Sequence, residues 1–347
     1  MRKKLIFCVV FLLLSLPLLF SRGVNEKAYD SFWSIIENYY PLYYVARENG
    51  LDLESLKENG KTNFSEDSSE EEMLFLFRSI CYKFVTLDYI DASIYSSDYT
   101  DVSEQTETSA GNTKTPRYQY IPTLKTVIFT IPSFDTVNLS EDFISSALAE
   151  LDDVDNIIFD VTGNKTGNYN DDLTAVLAPF GGSWNYVYRA YYRNRYTAEK
   201  VFDSGDIKET ESELYRETYK LPFYVEVSRS YDFGSGGLNE KLRSAKRWIL
   251  VDETTSYTAD FFASFAEATG WATVVGFNTK GNGTGLPFMN VFLEGKNYVL
   301  SFNSTVIDNT RGGLKSISGT IPNITADDGR SALKLCLDLI EDEMKKE

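Results

Sequence analysis

The sequence predicts an α/β protein with a small helical unit ahead of its core. Three observations predict it. From residue 126 onward, short apolar, β-branched runs alternate with amphipathic helical segments, the pattern of a sheet with helices on its faces. Between residues 25 and 85 the periodicity is helical only. A segment rich in Ser, Thr, Asp, Gly and Asn, residues 95–116, separates the two. The expected organisation is a signal segment 1–23, a helical domain 24–94, a linker 95–117 and an α/β domain 118–347. No internal repeat is present.

The N-terminus reads as an export signal. Arg2, Lys3 and Lys4 precede the apolar run Leu5 to Phe20, which is short for a bilayer span and is interrupted by Ser15 and Pro17. Cleavage near Val24 is the first reading, and an uncleaved N-terminal anchor is the second. The expected location is the periplasm or cell surface, with membrane contact only through this segment.

The helical unit follows. Asn25 to Tyr40 places Tyr29, Phe32, Trp33, Ile36 and Tyr40 on one face, and Pro41 ends it. Leu51 to Lys57 is a weaker helix. Glu70 to Val85 carries three acids in its first turn and a stripe of Met73, Leu76, Phe77, Ile80 and Phe84. In the core, Thr126 to Ile131 is a strand, and Ser140 to Leu151 a helix capped by Ser140. Asn156 to Val161 is a buried strand that runs into the polar loop Thr162 to Asn168. Leu173 to Pro179 is short and helical. Trp184 to Tyr196, dense in Tyr and Arg, suits a pair of strands. Ser204 to Arg216 is a surface excursion, and Leu221 to Val227 a further strand.

The stretch Arg247 to Gly285 reads as strand, polar turn, helix, strand and glycine-rich loop. Phe261, Phe262, Phe265, Ala266 and Thr269 give the helical spacing, and Gly270 is its stop. A helix that begins directly after a strand exposes free N–H groups at its first turn, and these favour negative charge. Ser256, Tyr257 and Thr258 stand at that junction. Beyond it, Val291 to Phe302 forms a hairpin around Glu294-Gly295-Lys296. Asp327 to Met344 is the last helix, with Thr325 and Asp328 as its capping box.

Composition narrows the function. The chain has no histidine. That excludes a Ser-His-Asp triad, a Cys-His pair and any His-ligated metal. No cofactor or metal is expected. The formal charge of -17 makes nucleic acid and anionic lipid poor partners. Past the signal, the cysteines are Cys81 and Cys336, each on the apolar stripe of a helix. Buried free thiols are favoured over a disulfide, because two cysteines make no framework.

Four pieces, in order, resemble the C-terminal processing (tail-specific) serine peptidase family. Asn156 to Asn164 looks like the family's strand and "D-x-R-G-N-x-G-G" loop. Leu250 to Gly276 looks like its nucleophile strand, helix and following strand. Gly276 to Gly283 looks like its "G-x-x-T-x-G" loop, and Gly319 to Asn323 like its "G-V-x-P-D" turn. The resemblance implies a crotonase-like (ClpP-like) α/β core behind a helical domain, and peptide bond hydrolysis by an exported serine peptidase. It also implies unstructured peptide or protein segments as partners.

The catalytic positions depart from the family. Its serine stands three residues before an acid; the acid here is Asp260, so the matched residue is Tyr257. Its lysine base matches Asn282, its supporting acid or amide matches Ala268, and a histidine used by some members matches Asp91. Ser256 and Lys280 are the candidate shifted pair. A serine needs a base, and without histidine the base is a carboxylate or a lysine neutralised by burial. Gly163, Asn164 and Gly167 are candidates for an oxyanion loop, and Tyr257 for the substrate site. The plainer readings stand beside these: Ser256 as a helix cap, Lys280 as a solvated loop lysine, Tyr257 as packing, the glycines as turns. Two functions remain, a peptidase and a peptide-binding protein that has lost its chemistry.

Overall fold

The computed structural model describes residues 23–86, 92–96, 115–134, 139–140, 142–151, 153–165, 173–281, 288–308, 314, 318–327 and 330–346. Residues 1–22 of the expected signal, most of the expected linker, and Asp91, Gly167 and Asn282 lie outside the described residues. The chain divides into two compact units: 1–108, 190–225 and 287–306 form the first, and 109–189, 226–286 and 307–347 the second.

The first unit opens with α1 (Val24–Tyr39), α2 (Tyr43–Glu48), α3 (Leu53–Lys61) and α4 (Glu70–Thr86). The apolar stripes read from the sequence are its core. Phe32 and Phe77 rings lie 4.8 Å apart, and Tyr40 and Phe84 rings 5.3 Å. Asp52 caps α3 by accepting from Ser55 N–H at 2.9 Å. Ser69 and Glu72 form a reciprocal capping box on α4. α2 follows Pro41 directly and was not legible as a helix. Arg193 holds that corner: its guanidinium donates to Tyr40 O at 3.2 Å and lies 4.5 Å from the Tyr44 ring centre. The unit is not helical throughout. β1 (Ala92–Ser96) adds a third strand to the expected hairpin, which is β10 (Phe288–Phe292) and β11 (Tyr298–Asn303), all antiparallel.

The second unit is built on a six-stranded sheet. Its strands are β2 (Arg117–Ile121), β3 (Thr126–Thr130), β4 (Asn156–Asp160), β8 (Lys246–Val251), β9 (Thr273–Gly276) and β13 (Ile324–Thr325). The order is β13-β9-β8-β4-β3-β2, parallel except for the edge strand β2. Alternate residues of β4 serve opposite faces. Ile158 joins Trp248, Leu250 and Val275 beneath the last helix, α10 (Ala332–Met344). Phe159 packs on the other face against Phe262 and Trp271, at 5.9 and 5.4 Å, under α9 (Thr258–Thr269). Burial on both faces is why these strands read as continuous apolar runs.

Three expectations are corrected. Thr325 does not cap α10, and Asp328, its expected partner, lies outside the described residues; Ser331 is the cap, accepting from Lys334 N–H at 3.2 Å. Thr325 is instead drawn into β13 beside Gly276. Ser140 does not cap the helix after β3, which begins at Phe143 with Asp142 ahead of it. Residues 184–196 are one strand, β5 (Ser183–Tyr192), followed by a short helix, α7 (Arg195–Glu199), which Asn194 caps. Strand β5 and strand β7 (Phe223–Asp232) each carry the chain from one unit into the other. Cys81 and Cys336 are buried free thiols, and burial pushes each up to about 12.

Candidate active site

Of the sequence-predicted site residues, Gly163, Asn164, Ser256, Tyr257 and Lys280 gather where β4, β8 and β9 end. After β8, Asp252 folds a tight turn. Its carboxylate accepts from the N–H groups of Thr254 and Thr255 at 3.0 and 2.9 Å, from both threonine hydroxyls, and from Gly163 N–H. Burial pushes this carboxyl up, but the Gly163 and threonine donors outweigh it and hold the group below its ordinary value. Gly163 takes φ +73°, a turn that suits glycine.

Asn164, fully buried, ties three segments together. Its N–H donates to Val161 O at 3.1 Å, its side-chain amide to Ile131 O at 2.9 Å, and its own carbonyl accepts Ser256 N–H at 3.0 Å. The N–H groups of Gly163 and Asn164 are therefore both engaged within the scaffold.

Helix α9 starts at an abrupt turn. Tyr257 stands at its N-cap with φ +56° and ψ −126°. A non-glycine residue in that region is strained by roughly 1–3 kcal/mol, a cost typical of functional turns. Tyr257 N–H donates to Gly281 O at 3.3 Å, and its carbonyl accepts the first helical bond, from Phe261 N–H at 2.9 Å. Tyr257 is half-buried, whereas Ser256 is only 2% exposed.

The loop after β9 runs alongside this turn. Lys280 N–H donates to Thr255 O at 2.8 Å, and Ser256 bridges in parallel to Gly281. The two candidate dyad residues are thus on adjacent backbone, and Lys280 is half-buried.

One step beneath, the fully buried Asp260 holds the arrangement. A single carboxylate oxygen accepts from the hydroxyls of Thr279 and Thr320, both at 2.6 Å. Thr279 Oγ1 in turn accepts Thr320 N–H at 2.7 Å, and Thr279 N–H donates to Thr320 O at 3.1 Å. Gly319 lies so close that a Cβ there would stand 1.8 Å from Thr279 O. Asn323 Oδ1 accepts Val274 N–H at 2.8 Å. The roles of Thr279, Thr320 and Asp252 were missed at the sequence level; the signal was that Thr279 and Thr320 sit inside the two family-like loops. A cleft of about 470 Å³ lies at the opposite end of the sheet, near Arg247, Trp271 and Thr273, and is not part of this site. Among the described residues no cluster of acids or cysteines could hold a metal.

The sequence profile of peptidase family S41 matches residues 125–325, more than half of the chain. The chain belongs to peptidase family S41. Solved structures share the fold of this S41 member at low identity. A putative peptidase from Parabacteroides merdae is 12% identical, with a TM-score of 0.60 over 92% of this chain and 97% of that one. A lipoprotein from Streptococcus agalactiae is 12% identical, with a TM-score of 0.52 over 94% and 98%. The photosystem II D1 C-terminal processing protease is 8% identical, with a TM-score of 0.51 over 88% and 94%. No curated protein matches the S41 chain in sequence.

Proposed function

We propose that this S41 member is an exported protein that binds extended peptide segments at the Tyr257 turn without cleaving them. The observation that carries the reading is the occupant of the strained helix start: a tyrosine, with the neighbouring Ser256 only 2% exposed. A nucleophile must reach a scissile carbonyl, and the burial of Ser256 works against that. The engagement of Gly163 and Asn164 N–H within the scaffold supports the same reading, since an oxyanion needs free donors. Extended peptides suit strand addition, in which main-chain bonds supply affinity. The charge of -17 favours basic segments. The basic start and short apolar run support export, and no helix among the described residues is long and apolar enough to cross a membrane.

A second reading, a peptidase with a shifted Ser256–Lys280 pair, is favoured by the adjacency of the two residues through the Lys280–Thr255 backbone bond. One experiment separates them. The protein is incubated with an unfolded basic substrate and with a serine-reactive phosphonate. Binding without cleavage, weakened by Tyr257→Ala, is the expected result. Cleavage lost in both Ser256→Ala and Lys280→Ala, with probe mass on Ser256, overturns it. Absence of binding at low and moderate salt sinks both readings.

A further inference from the structure

In the second unit the paired strands β5 and β7 run antiparallel, as their side-chain partners show. The Ser183 hydroxyl donates to Asp232 at 3.0 Å, and Asn185 Oδ1 accepts from the hydroxyls of Ser228 and Ser230 at 2.6 and 3.1 Å. Arg189 lies 3.8 Å from Glu226. On its other side β7 meets only β6 (Lys208–Glu209), which stands opposite Tyr224 and Phe223. Among the described strands, none covers that edge from Glu226 onward. Phe233 N–H donates to Gly182 O, so the odd-numbered backbone groups of β7 face β5. The even-numbered groups, at Glu226, Ser228 and Ser230, therefore point outward. Thr210 N–H reaches Pro222 O on that same side, in the same phase. Exposed edges are commonly blunted by Pro or Lys, and residues 225–232 contain neither. Asn185 holds both serine hydroxyls on the β5 side, away from the edge.

We propose that this edge of β7 takes an extended basic peptide as an added strand, antiparallel to β7 as β6 already is. The inference rests on the peptide-binding reading and names the edge that supplies its main-chain bonds. Outward donors and acceptors at the strand repeat are matched in register by another extended backbone. The exposed face of β7 carries Glu226, Ser228, Ser230 and Asp232. Peptide side chains on that face stand beside two acids, which Arg189 offsets only in part, so basic residues fit there. The alternate peptide side chains fall on the face of buried Val227 and of Tyr231, whose ring lies 5.4 Å from Phe265 of α9. Apolar residues fit that side. A second copy, itself charged -17, is a poor occupant.

The probe is a short capped peptide of alternating Lys and Val, titrated into the folded protein by calorimetry. In antiparallel pairing, the residues opposite Glu226, Ser228 and Ser230 exchange bonds with them and share their face, so they are the lysines. N-methylation of the lysine amides should weaken binding about tenfold or more, and N-methylation of the valine amides should leave it within about twofold. A Glu-Val peptide of the same length should bind at least about tenfold more weakly than the Lys-Val one. These arms need no variant, so misfolding cannot confound them. Ser228→Pro removes an outward N–H and should abolish binding with circular dichroism unchanged. Equal effects of the two methylations, a larger loss at the valines, equal binding of the Glu-Val peptide, or a folded Ser228→Pro that binds normally overturns the proposal. Binding weakened by Tyr257→Ala but by neither methylation removes the β7 edge and leaves the peptide-binding reading standing. No binding of any peptide overturns both.

Discussion

Two regions of the second unit lie within a few residues of each other and differ in kind. The lock formed by Asp260, Thr279, Gly319 and Thr320 keeps the family-like residues and uses them all for packing and hydrogen bonding. The turn at Ser256 and Tyr257 carries a strained backbone and presents a half-buried tyrosine. The difference teaches that scaffold and chemistry answer to separate constraints. A buried carboxylate with two hydroxyl donors cannot lose a partner without leaving polar groups unsatisfied. A side chain on a half-buried turn can change with little effect on the fold.

The sharpest test of that contrast is at the glycines. A Cβ at Gly319 would stand 1.8 Å from Thr279 O, and one at Gly276 2.0 Å from Val251 O. Gly319→Ala and Gly276→Ala should each cost more than about 4 kcal/mol, read by urea unfolding. Near-native stability would mean the lock is loose.

Asp260→Ala removes the shared acceptor of Thr279 and Thr320 and should cost about 3 kcal/mol. Thr320→Val, which removes one of its donors, should cost about 1–2 kcal/mol. If the two losses were equal, the carboxylate would not be the centre of the network.

The turn should answer with the opposite sign. Tyr257→Gly relieves a strained φ of +56°. Roughly 1–3 kcal/mol of relief, less about 0.5–1 for the added chain entropy of glycine, leaves a gain on the order of 1 kcal/mol. The same variant should lose peptide affinity. A clear loss of stability would contradict the strain.

The smallest effect concerns pH. Donors from Gly163, Thr254 and Thr255 hold the Asp252 carboxyl below its ordinary value against the opposing effect of burial. A group depressed in the folded state adds stability above its unfolded pKa, and that stability is lost as pH falls through the folded value. The protein should therefore lose this support below about pH 4. Asp252→Asn should show a shallower acid loss over that range, with no difference from the parent in the acid slope as the contrary result.

Much of this was legible in the sequence. The alternation of helices and strands in the core followed from local periodicity, because the central strands β3, β4 and β8 are mostly buried on both faces and α1 and α4 bury one stripe. The polar turn between strand and helix was expected at Asp252 to Ser256, and the backbone angles of Tyr257 show a sharp strand-to-helix junction there. The missing histidine removed whole classes of mechanism.

What the sequence did not carry are contacts between residues far apart in the chain. Asp260 and Thr320 are 60 residues apart, and Asn164 reaches both Ile131 and Ser256. Thr325 looked like a helix cap and became a strand residue, because pairing with Gly276 gives its backbone a better set of bonds. The sequence by itself determined most of the elements, the family and the identity of the residues at the turn. Only the tertiary structure decided that Ser256 is buried and that the Gly163 and Asn164 donors are engaged. Local propensity acts over a few residues, whereas burial and hydrogen-bond satisfaction are settled when distant segments meet.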